Sequence, residues 1–153
     1  MVLPRPPRMK TPEDLARELE ERLQQEVIRA RRWRQRRETY RVVTILVGLL
    51  LPSLSLILAG MISNNGFMGW IGRAGWWPLL TTAGGGGAAA ALAFAAGWGV
   101  ARSIMAFGGL FMLVVLLNQV RLGTLIVAMP GLVALFVTTG GLVGYLITME
   151  EGD

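Results

Sequence analysis

From Val42 to Met149 the chain carries only three charged side chains, Arg73, Arg102 and Arg121, and not one Asp, Glu, Lys or His. A water-soluble domain of this size needs a charged face toward solvent, whereas apolar runs of roughly 18 or more residues have the length of a bilayer crossing. The stretch therefore predicts an all-α, polytopic integral membrane protein. It also limits chemistry, because a segment with no carboxylate, imidazole or thiol has few groups that could carry a reaction.

Charge is partitioned between the two ends of the chain. Residues 1–41 hold all but three of the 15 Lys and Arg and all but three of the 10 acids, so the net charge of +5 resides there. Positive flanks stay on the cytoplasmic side, which places the N-terminus inside. With arginine-rich usage and small size, this gives the inner membrane of a bacterium as the expected location. The first apolar run begins only at Val42, too late for an ordinary secretory signal. The chain has no Cys and no His, so neither a thiolate nor an imidazole ligand is present; no metal site and no cofactor are expected.

Four regions follow. Residues 1–10 combine Pro4, Pro6 and Pro7 with Arg5, Arg8 and Lys10, a composition that reads as a disordered basic tail. Residues 11–41 read as a cytoplasmic amphipathic helix. Thr11, Pro12, Glu13 and Asp14 supply a cap, an N1 proline and first-turn acids in order. Leu15, Leu19, Leu23, Val27, Ala30 and Trp33 then recur every three or four residues along one face. Arg29, Arg31, Arg32, Arg34, Arg36 and Arg37 crowd the end of this helix. A polybasic segment beside a membrane is an orientation signal and a contact for anionic lipid, worth about 1 kcal/mol per basic residue. A partner protein could use the same face; no nucleic-acid reader motif accompanies it. Residues 42–149 form the transmembrane region, and residues 150–153 an acidic end.

The first span runs from Val42 to about Ile62, with Pro52 in its middle and Ser53 and Ser55 beside it. Residues 63–77 read as a headgroup loop, with Trp70, Trp76 and Trp77 as an aromatic belt. Trp77 and Trp98 are 21 residues apart, close to one spanning helix, with Pro78 as a first-turn proline. Arg102 then marks a cytoplasmic turn, residues 103–119 a third span, Arg121 an outer hairpin and residues 123–148 a fourth span. The alternative is three spans, with one tilted helix over 84–118. It places Arg102 near the bilayer centre at about 2.5 to 3.5 kcal/mol, so four spans are preferred.

Small residues dominate the middle of this region. Gly85, Ala89, Ala93, Gly97 and Ala101 recur every four residues, Gly87, Ala91, Ala95, Gly99 and Ser103 form a second row, and Gly140 and Gly144 repeat the spacing. Such rows let helices approach closely in lipid. Two rows exceed what one neighbouring helix would use, which points to contacts with other copies or other subunits. Gly84 to Gly87 lack the Lys-Ser or Lys-Thr of a phosphate loop. Arg102 is the one near-membrane charge with a candidate role, toward lipid phosphate or a partner subunit.

The expectation is a non-enzymatic structural or assembly subunit of a homo-oligomer or larger membrane complex. Two glycine- and alanine-rich segments around Asn118, Gln119, Val120, Arg121 and Leu122 are similar in arrangement to the conjugative pilins of type IV secretion systems. That resemblance would imply removal of a long N-terminal leader and assembly into filaments with lipid. Size and small-residue packing also fit a holin-like membrane-permeabilising protein, although this chain ends in acids.

Overall fold

The computed structural model describes residues 11–63, 66–119 and 128–152. Five helices occur among them: α1 (Pro12–Ser63), α2 (Phe67–Ala74), α3 (Trp77–Ala95), α4 (Val100–Leu117) and α5 (Met129–Gly152). All but α2 contain an apolar segment long enough to cross a membrane, so the protein is an all-α polytopic membrane protein with four candidate spans. At 1.5 Å per residue the 19 residues of α3 extend roughly 28 Å, matched to a hydrocarbon core of about 30 Å. The residues of the basic tail, Arg121 with its hairpin, and Asp153 lie outside the described residues.

The chain divides into two compact units, residues 1–38 and 39–153. In the first, α1 starts where Thr11 and Pro12 place it. The Asp14 amide donates to Thr11 Oγ1 (3.3 Å), while the Thr11 amide and hydroxyl donate to Asp14 Oδ2 (3.1 and 2.6 Å). This reciprocal cap satisfies donors that a helix start otherwise leaves open. The Thr11 hydroxyl, and after it the Thr11 amide, hold the Asp14 carboxyl below its usual range.

In the second unit the four long helices share two apolar clusters. One joins Leu56, Ala59, Trp70, Ala74, Phe111, Val114, Leu132 and Phe136, with Phe111 and Phe136 edge to face at 5.1 Å. The other joins Ala90, Ala93, Phe94, Phe107, Val143 and Ile147, with Tyr40 and Trp98 against it.

The preference for four spans over three is decided between Ala95 and Val100. The Trp98 amide donates to Ala93 O (2.9 Å) and the Gly97 amide to Phe94 O (3.3 Å), with Gly97 at φ +60°. This paired bond pattern, with a left-handed residue after the helix, closes α3 and reverses the chain. A side chain at Gly97 would be strained there, so this glycine terminates a helix rather than lining a packing row. Arg102 falls in the first turn of α4, exposed, not at a helix centre.

The segment expected as a headgroup loop contains α2. Gly66 and Gly75, both at positive φ, bound this short helix. Trp70 is fully buried, its indole lying so close to Gly60 that a Cβ there would come within 2.6 Å of Cγ. Trp70 is thus a core residue of the helical body and not part of an exposed belt; Trp76 and Trp77 remain exposed. The sequence favoured a loop because four glycines lower helix propensity, and packing against Gly60 overrides that preference.

Candidate interaction surface

Pro52 lies inside α1 and cannot donate to the carbonyl of Gly48, four residues earlier. The adjacent serines do not replace that donor, since Ser53 donates to Leu49 O and Ser55 to Leu51 O, each at 2.7 Å. Instead the Gly48 carbonyl oxygen meets Gly86 of α3, where it occupies the place a Cβ would take. A carbonyl released by proline is therefore in contact with a glycine Cα, the geometry of a weak Cα–H···O bond. From the α1 side, a Cβ on Gly48 would lie 2.5 Å from the Ala90 Cβ and 3.3 Å from the Phe107 ring.

The seam between α1 and α3 thus runs through Gly48, Pro52, Gly86 and Ala90. That is one position away from the row read from the sequence. Of that row, Gly85 faces the Leu110 side chain, Ala89 packs against the second cluster and Ala93 is buried in it. Gly97 is in the turn, and Ala101 is exposed at the start of α4. A run of consecutive glycines and alanines carries no phase, so periodicity alone could not choose between Gly85 and Gly86.

Gly140 and Gly144 were identified by spacing, and both lie where α5 crosses α4. A Cβ on Gly140 would stand 2.7 Å from Ser103 O, and one on Gly144 would stand 2.5 Å from the Val100 Cα. At the opposite end, Asn118 is buried and its Nδ2 donates to Thr81 Oγ1 across to α3 (3.3 Å) and to Val114 O (3.0 Å). The sequence reading put Asn118 at the end of the third span without assigning it a contact; an amide within an apolar span was the available signal.

Two buried hydroxyls, Thr44 Oγ1 and Ser103 Oγ, have no hydrogen-bond partner among the described residues. No group of three or more His, Cys, Asp or Glu occurs there that could hold a metal. On the arm, Arg22 pairs with Glu18 (3.1 Å) and the Arg37 guanidinium stacks over the Trp33 ring at 5.5 Å. Arg29, Arg31, Arg32, Arg34 and Arg36 are exposed along it. Trp98 is half-buried against the second cluster.

The outward faces differ from the seams. Cβ atoms built on Gly84, Gly108, Gly109 and Gly131 meet nothing within 4 Å. An apolar groove of about 700 Å³ opens between α1 and α5, lined by Leu58, Ala59, Ile62, Gly131, Leu132 and Leu135 among others. Comparison of the chain with protein-family models, with curated proteins and with solved structures returns no match.

Proposed function

We propose that this protein is a non-enzymatic structural or assembly subunit of a membrane complex, built from several copies of itself or from this chain with other subunits. The observation that carries the reading is the second set of glycines. Gly48, Gly86, Gly140 and Gly144 are used within the helical body, whereas Gly84, Gly108, Gly109 and Gly131 face outward with no neighbour in the space a side chain would fill. A glycine that faces acyl chains gains nothing over leucine, while one that faces another helix permits close backbone approach. The groove between α1 and α5 adds a concave apolar surface suited to a further helix.

Arg102 supports the same reading. It lies in the first turn of α4, where the helix dipole disfavours a cation, so its placement serves something outside the helix. A lipid phosphate or an acidic group of a neighbouring subunit is the matching chemistry. The arginines of the arm orient the N-terminus toward the cytoplasm and contact anionic lipid, at the inner membrane of a bacterium.

The test is native mass in mild detergent, read together with the mass of the chain itself. Full-length chains in a particle of defined stoichiometry support the assembly reading. A monomer that co-purifies with nothing would sink it. A chain beginning near Met61 within filaments would favour the pilin-like alternative, and leakage on expression the holin-like one.

A further inference from the structure

We draw no further inference here: the strongest candidate, the outward face of α4 on which Arg102, Gly109, Leu113 and Leu116 are exposed in line, carries nothing, because nothing in the structure shows what covers it.

Discussion

At the scale of single residues, the helical body depends on which small side chains are in contact and which are not. Gly86→Ala would drive a methyl into the Gly48 carbonyl, which is part of helix backbone and cannot move alone. A loss of about 1 to 3 kcal/mol is expected. Gly84→Ala, two residues earlier and open, should change stability by less than about 0.5 kcal/mol. Unfolding by SDS titration of the two variants compares them directly. Thr44 points the other way: its buried hydroxyl has no partner among the described residues, so Thr44→Val keeps the shape and removes a desolvation penalty. It should unfold at the same or higher SDS fraction than the parent, with a gain on the order of 1 kcal/mol. A clear destabilisation would mean the hydroxyl is satisfied by water. The residue types were legible in the sequence, but the phase was not, because Gly84 to Ala91 offer a small residue at every position.

At the scale of elements, two contacts hold ends in place. Asn118 ties the end of α4 to the start of α3 through Thr81. Asn118→Ala should cost about 0.6 kcal/mol, the average for such bonds between membrane helices, in the same titration; no effect would make the bond incidental. At the start of α1 the lowered Asp14 pKa has a defined consequence. The unfolded chain binds a proton more readily than the capped helix, so the cap is at full strength above the ordinary aspartate value of about 3.9. It is lost as pH falls through the lowered value. The Leu15 amide, bonded to Thr11 O, should therefore lose protection below that range in NMR spectra recorded from pH 5 to pH 2, and Thr11→Ala should show the loss already at pH 5. The cap was readable because it is local: four consecutive residues contain all of it. Helix α2 was not readable, since its stability comes from Trp70 against Gly60 and not from its glycine-rich sequence.

At the scale of the whole molecule, α1 is part of the helical body. Leu56 and Ala59 belong to the cluster around Trp70, and Gly48 seats Gly86. A truncated chain starting at Met61 should lose this body, becoming protease-sensitive within the membrane while residues 39–153 of the full chain resist; equal resistance would show that α3, α4 and α5 suffice. The sequence alone determined the environment, because a stretch from Val42 to Met149 with only three charged side chains cannot present a charged face to water. It also determined the capped start of α1, the partition of charge along the arm, and the small-residue pair Gly140 and Gly144, since the neighbouring register, Gly141, meets Tyr145 four residues on. Only the tertiary structure decided that Trp70 is enclosed and that Gly86 rather than Gly85 meets α1. The physical reason is the range of the forces involved. Hydrophobic transfer and helix capping act on a residue and its near neighbours, so their pattern is written along the chain. In lipid, however, helices associate through close packing, and which atoms interlock depends on partners far apart in sequence.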